Sequence, residues 1–390
     1  MPAPARLPSL TGLRFVAAFL VFGFHIGVVN LVNDGAAGTA TWWLFGQGAV
    51  GVSFFFILSG FVLTWSARPD DTARRFWQRR FAKIYPNHVV TWVPALAVAL
   101  LTGTGVTVAV ALSNLFLVQA WFPDPKIYYG LNSVSWSLAC EFFFYLLFPL
   151  LYRALRRGER RLGAAVLWPA AIGALAVVWL IPLAVQPLPD RYHYWAIWLF
   201  PVARLPEFVA GMLLARIVQE GRWPAGSWLG GVWPATGLAA VTYIASGWFP
   251  DDIRIVAGTV APLALLIAAV GAADAAGRPT PWRSRGAVFL GEISYAFYLI
   301  HLLVLRLFAK VFGASHSVTV EIGLVVLALG VAVIGSWLLY ICVERPGMRL
   351  LGPRSAARVP RQAVSKSESR PVSMSDPRPV SMSDSRLGDG

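Results

Sequence analysis

The run Ala49-Val50-Gly51-Val52-Ser53-Phe54-Phe55-Phe56-Ile57-Leu58-Ser59-Gly60-Phe61-Val62-Leu63-Thr64-Trp65-Ser66-Ala67 is free of charged residues and stops at Arg68. About 20 consecutive apolar residues are what an α-helix needs to cross a hydrocarbon core, and an arginine just beyond is the usual flank. Similar runs recur near 13–33, 87–107, 135–152, 164–184, 195–215, 228–248, 255–273, 287–309 and 319–341. The expected fold is therefore all-α, a polytopic transmembrane helical bundle of about ten spans.

Composition agrees. The 390 residues are 57% hydrophobic and only 13% charged, far more apolar than a soluble domain. Mean hydropathy is +0.62. The net charge of +14 is no nucleic-acid footprint, because the basic residues sit in the connections and the tail rather than on a soluble face. Residues 15–32 read as a first span rather than a cleaved leader, the apolar run being long for one and interrupted by His25. Two cysteines, Cys140 and Cys342, both in apolar segments, give neither a disulfide framework nor a metal cluster.

Ten spans place both termini on one side, and loop charge selects it. Arg68, Arg74, Arg75, Arg79, Arg80 and Lys83 fall in one connection, and Arg153, Arg156, Arg157, Arg160 and Arg161 in another. Arg278, Arg283 and Arg285 lie on the same side, whereas the opposite loops carry only Lys126, Arg191, Arg254 and Lys310. The positive-inside rule makes the first side cytoplasmic and the protein a multi-pass plasma-membrane protein. Residues 108–134 are apolar at first but too short to span, so they read as a re-entrant or interfacial piece. The membrane domain occupies 1–350. Residues 351–390, rich in Ser, Pro and Arg, repeat Pro371-Val372-Ser373-Met374-Ser375-Asp376 as Pro379-Val380-Ser381-Met382-Ser383-Asp384 and read as a disordered basic cytoplasmic tail.

An ionisable side chain inside a span is costly and points to function unless a structural partner explains it. Arg14 and His25 lie eleven residues apart, near the same helix face and roughly 16 Å apart along the axis. His25 near mid-span is suited to accept a proton, while Arg14 alone also reads as a snorkelling anchor. Glu141 shares a face with Ser137 and Tyr145 and must be protonated, paired or working. Arg204 and Glu207 read as an ion pair, Cys140 as a packing thiol, and Ser294, Tyr298 and His301 as a stripe for a polar cavity or for interhelical hydrogen bonds.

These residues fall within a set of motifs in which the sequence resembles the membrane-bound acyltransferase-3 family, bacterial multi-spanning O-acyltransferases. The set comprises Leu10-Thr11-Gly12-Leu13-Arg14 with His25, Gly51 to Phe61, Phe76-Trp77-Gln78-Arg79-Arg80-Phe81-Ala82-Lys83-Ile84-Tyr85-Pro86, Trp136-Ser137-Leu138 with Glu141, Arg204 to Gly211, and Gly291-Glu292-Ile293-Ser294-Tyr295 with His301. Lys83 stands where the family usually has a second arginine, and Cys140 precedes a single Glu141 where two acids are common. No appended hydrolase-like domain is present, so the chain is similar in layout to macrolide O-acyltransferases.

The resemblance implies transfer of an acetyl or other short acyl group from acyl-coenzyme A, a co-substrate rather than a bound cofactor, to a hydroxyl of a sugar, glycan or macrolide-like product. Arg14, Arg79, Arg80 and Lys83 would meet the donor's phosphates, His25 would act as general base, and Glu141 would hold or balance its imidazole. No metal is implied. The competing expectation from the polar residues is a proton-coupled exporter, which would favour inverted repeats that the two halves do not display. A non-catalytic scaffold is a third.

Overall fold

The computed structural model describes residues 6–32, 35–68, 71–101, 105–228, 230–313 and 317–353. In chain order the helices are α1 (Pro8–Val28), α2 (Ala36–Phe45), α3 (Val50–Trp65), α4 (Ala73–Leu101), α5 (Val108–Leu115), α6 (Pro125–Tyr128), α7 (Trp136–Leu162) and α8 (Leu167–Ala184). Then follow α9 (His193–Trp198), α10 (Pro201–Gln219), α11 (Val232–Ala245), α12 (Asp251–Arg254), α13 (Ala257–Ala275), α14 (Arg285–Phe312), α15 (Val318–Leu339) and α16 (Arg345–Leu351). The described residues form a transmembrane helical bundle without strands. Nearly all of the tail expected over 351–390 lies outside them.

Nine helical segments among the described residues are long and apolar enough to cross a membrane. The tenth expected span, 228–248, is the shorter helix α11 of 14 residues. It nonetheless runs from one end of the bundle to the other. Trp233 near its start lies 6.3 Å from Trp282 in the turn before α14, and Trp248 just past its end lies 5.6 Å from Trp43 of α2. Fourteen α-helical residues and the 3₁₀ turn Ser246–Trp248 give about 27 Å, close to a hydrocarbon thickness of about 30 Å.

A second difference concerns α4. The apolar reading began at 87, but the helix begins at Ala73 and continues through Pro86 and Pro94. Its first half is amphipathic, burying Phe76, Ala82 and Ile84 while Arg74 and Arg75 face solvent. Arg79, Arg80 and Lys83 thus project from about one turn of a helix and not from a loop. Residues 107–135 fold into short helical turns, as an interfacial piece would. Asn114 Nδ2 donates to the carbonyls of Val110 and Ile127 at 3.0 Å each, and Asn132 Nδ2 donates to the carbonyl of Leu299 at 2.9 Å.

Lipid supplies no hydrophobic drive between helices, so close approach matters. α3 and α10 run parallel and touch through glycines: a Cβ on Gly60 would stand 1.9 Å from the Phe208 carbonyl oxygen, and one on Gly211 1.9 Å from that of Ile57. α1 packs equally tightly against α14 at Gly291, where a Cβ would stand 1.9 Å from the Thr11 carbonyl oxygen, and Gly12 does so against the turn before α14. The first turn of α1 is held by Asp274 of α13, which accepts from Ser9 N, Leu10 N and Ser9 Oγ. Arg204 and Glu207 form the expected ion pair, Nε to Oε1 at 2.8 Å, with Ser53 Oγ 2.9 Å from Arg204 Nη2 and Phe56 beneath the guanidinium.

Both members of that pair are buried, so removing one strands the other's charge. Glu207→Ala should lower stability by about 3–5 kcal/mol, read as a fall in the thermal midpoint of the detergent-solubilised protein. A midpoint equal to the wild type would mean that Arg204 is neutralised by other means.

Candidate active site

α1, α3, α4, α7 and α14 line a partly open cavity whose polar residues include Arg14, Arg80, Lys83, Ser137, Glu141 and Tyr298. Each comes from a helix whose opposite face packs in the core or meets lipid, so the side chains face inward by helical register. Ser137, Glu141 and Tyr145, one turn apart on α7, all reach it, as do Ser294 and Tyr298 of α14. Phe55, Phe56, Leu138 and Ile84 supply an apolar remainder.

The charges in this cavity are unequally committed. Lys83 Nζ lies 3.1 Å from Glu344 Oε1, and Asn87 Nδ2 donates to Glu344 Oε2 at 2.9 Å. Glu344 is fully buried at the end of a π-helical turn, Tyr340–Glu344. Arg14 and Arg80 have no ion pair within 4 Å among the described residues, and Arg80 Nε is buried without a hydrogen-bond partner. Glu141 lies against the hydroxyls of Tyr145 and Ser59, within electrostatic reach of Arg14 and Arg80. Arg79, expected beside Arg80, points elsewhere and pairs with Asp71. Consecutive helical residues diverge by about 100°, so only one of the two arginines can face the cavity.

His25 does not line this cavity, and its ring nitrogen meets His301 rather than Glu141. His301 Nε2 and His25 Nδ1 are 3.1 Å apart. His25 Nδ1–H donates to the Val21 carbonyl at 2.9 Å, and His301 Nδ1–H to that of Phe297 at 3.1 Å. Rings of Phe22, Phe297 and Tyr298 surround His301, which is fully buried. Tyr298 joins the two regions. Its hydroxyl lies 2.8 Å from Ser137 Oγ at the cavity wall, and its ring lies 5.8 Å from that of His301. The stripe Ser294, Tyr298, His301 thus lines a cavity and makes interhelical bonds at once.

Arg306, next along α14, donates to the Leu131 carbonyl at 3.0 Å and to Ser133 Oγ at 2.5 Å, tying the segment before α7 to the histidines' end of the bundle. Cys140 is buried, its Sγ–H directed at the Leu199 carbonyl, a packing thiol. Among the described residues no three His, Cys, Asp or Glu side chains group to hold a metal ion. Sequence reasoning missed Glu344 and Asn87. The signal for Glu344 was present, a lone carboxylate between the last apolar run and Pro346, whereas Asn87 carried none.

A family profile described as an acyltransferase domain matches residues 7–341. Acyltransferase MdmB of Streptomyces mycarofaciens is 41% identical over 90% of this chain and 94% of that protein. Nodulation protein 10 of Rhizobium leguminosarum bv. viciae is 27% identical over 87% and 92%. The peptidoglycan O-acetyltransferase OatA of Listeria monocytogenes is 26% identical over 48% of this chain and 31% of its own length. No solved structure matches. A profile spanning nearly the whole membrane domain, with a relative of this identity over nearly its full length, makes the chain a member of the acyltransferase-3 family and an acyltransferase.

Proposed function

We propose that the protein moves an acetyl or other short acyl group from acyl-coenzyme A to a hydroxyl of a carbohydrate or glycosylated, macrolide-like small molecule. The carrying observation is the cavity in which Arg14 and Arg80 stand free of ion pairs beside Glu141. Two guanidiniums without ion-pair partners in a cavity between helices fit the phosphates of such a donor, since planar forks bind phosphate bidentately. Lys83, neutralised by Glu344, adds little net charge, and Arg79 adds none at the cavity. The donor set in this reading is Arg14 and Arg80, with Glu141 within electrostatic reach of both.

His25 is the general base, taking the proton of the attacking hydroxyl at Nε2. α1 is continuous from Arg14 to His25, so phosphates at one end and the thioester at the other are separated by roughly 16 Å, a gap that suits a donor with a long flexible arm. Identity to the MdmB acyltransferase over nearly the full length of both chains supports the macrolide-type layout and, with it, a small acceptor. The family assignment sets the exporter reading aside. The cavity belongs to the end of the bundle that bears the basic connections, which supports a cytoplasmic donor and cytoplasmic termini in the plasma membrane.

Three outcomes test this reading. His25→Ala should accumulate in the membrane normally yet lose on the order of 100- to 10,000-fold in transfer from labelled acyl-coenzyme A, and retention of most turnover would remove His25 as base. Arg80→Gln and Glu141→Gln should each raise the donor KM about tenfold or more with a smaller change in kcat, measured by donor saturation. Unchanged saturation in both would leave them as topology and packing residues. In a Cys342→Ser background, Thr39→Cys on α2 should react with an impermeant maleimide added to intact cells. Labelling only after permeabilisation would reverse the topology.

A further inference from the structure

We propose that His301 is the positioning residue for His25, holding its imidazole in the one tautomer that can act as base and stabilising the imidazolium that forms; this rests on the acyl-transfer reading above. Proton placement on the two rings fixes these roles. Backbone carbonyls only accept, so the Nδ1 of each histidine carries hydrogen, donated to Val21 in one case and Phe297 in the other. His301 Nε2 is therefore a bare lone pair, and it faces the Nδ1–H of His25 at 3.1 Å. His25 Nδ1–H is shared between two acceptors, the Val21 oxygen and His301 Nε2, and cannot leave without breaking both contacts. That leaves His25 Nε2 unprotonated and open to substrate.

The step then balances. The acceptor O–H gives its proton to His25 Nε2 as its oxygen bonds to the thioester carbonyl carbon, and the tetrahedral adduct collapses with loss of the thiolate. The proton on Nε2 passes to that sulfur, yielding ester and free thiol and restoring neutral His25. During the charged interval His25 Nδ1–H points at a neutral acceptor, so no second proton moves. A buried aspartate performs this office in serine-protease triads. Here a neutral imidazole does so, which avoids placing an unpaired carboxylate in the hydrocarbon core. The ring itself is clamped by Phe22, Phe297 and Tyr298, so His301 has little freedom to turn away.

A packing histidine would sit in the same place, and two measurements separate the roles. With ¹⁵N-histidine labelling, the wild-type protein in detergent should show a nitrogen–nitrogen coupling across the His25–His301 hydrogen bond, with both rings as Nδ1–H tautomers. Absence of that coupling in folded protein overturns the proposal. In kinetics, His301→Leu should cut kcat on the order of 100-fold with donor KM little changed. His301→Gln, whose amide oxygen can accept from His25 Nδ1–H, should recover much of that loss. The double variant His25→Ala/His301→Leu should be no slower than His25→Ala alone, because a residue acting through the base has nothing left to act on. Additive losses, or a Gln variant no better than Leu at equal folded yield, overturn the assignment. Should wild-type membranes show the coupling but no transfer from any acyl-coenzyme A, the function reading fails and takes this role with it.

Discussion

The cost of holding charge away from water organises this molecule. Within the bundle several buried ionic groups meet a partner, and those partners dictate which helices touch. Arg204 and Glu207 draw Ser53 and Phe56 of α3 against α10. Glu344 draws α4 to the last described helical turns through Lys83 and Asn87. Asp274 fastens the start of α1 to the end of α13. Once these pairs are assigned, what remains is a short remainder of cations facing a cavity, and an uncompensated cation in a cavity between helices is a reason for an anion to enter it.

The architecture was legible in the sequence because a bilayer demands runs of apolar residues and punishes stray charge. Boundaries were less so. α4 began well before its apolar run because an amphipathic half-helix has no hydropathy maximum, and its arginines looked like a loop. α11 reaches across with fewer residues than an ordinary span because a 3₁₀ turn extends it. The ionisable residues were identifiable one by one, but not their partners. Arg79 and Arg80 are equivalent on paper, and only the pitch of α4 sends one to Asp71 and the other to the cavity. Glu141 was assigned to His25 by the family resemblance and by analogy with carboxylates that hold a catalytic imidazole, whereas the helix that packs beside α1 at that depth is α14, which supplies a histidine.

The division of the site into a charged cavity and a histidine pair also has a physical logic. In the proposed reading, cations for a phosphate-bearing donor lie near the polar end of the bundle, where partial hydration lowers their cost. A base is most effective uncharged, and a neutral imidazole is cheap to bury. Separating the two along α1 lets each occupy the dielectric it needs, and Tyr298 touches both without carrying charge.

The placement of the two histidines on α1 and α14 follows from precision. A hydrogen bond of 3.1 Å between side chains on different helices survives only if the helices cannot slide, and this pair is among the tightest in the bundle. A single methyl on Gly291 would stand 1.9 Å from the Thr11 carbonyl oxygen, and one on Gly12 2.1 Å from that of Trp282. The two helices run parallel from that contact, so their separation at the histidines is set by a backbone-to-backbone crossing and not by flexible side chains. Catalytic groups need to be held within about 0.5 Å of working geometry, and a glycine-lined crossing is the stiffest frame that helices in lipid can offer. The residues with no side chain at all therefore help to hold the distance between the two rings that share a proton bridge in the proposed mechanism.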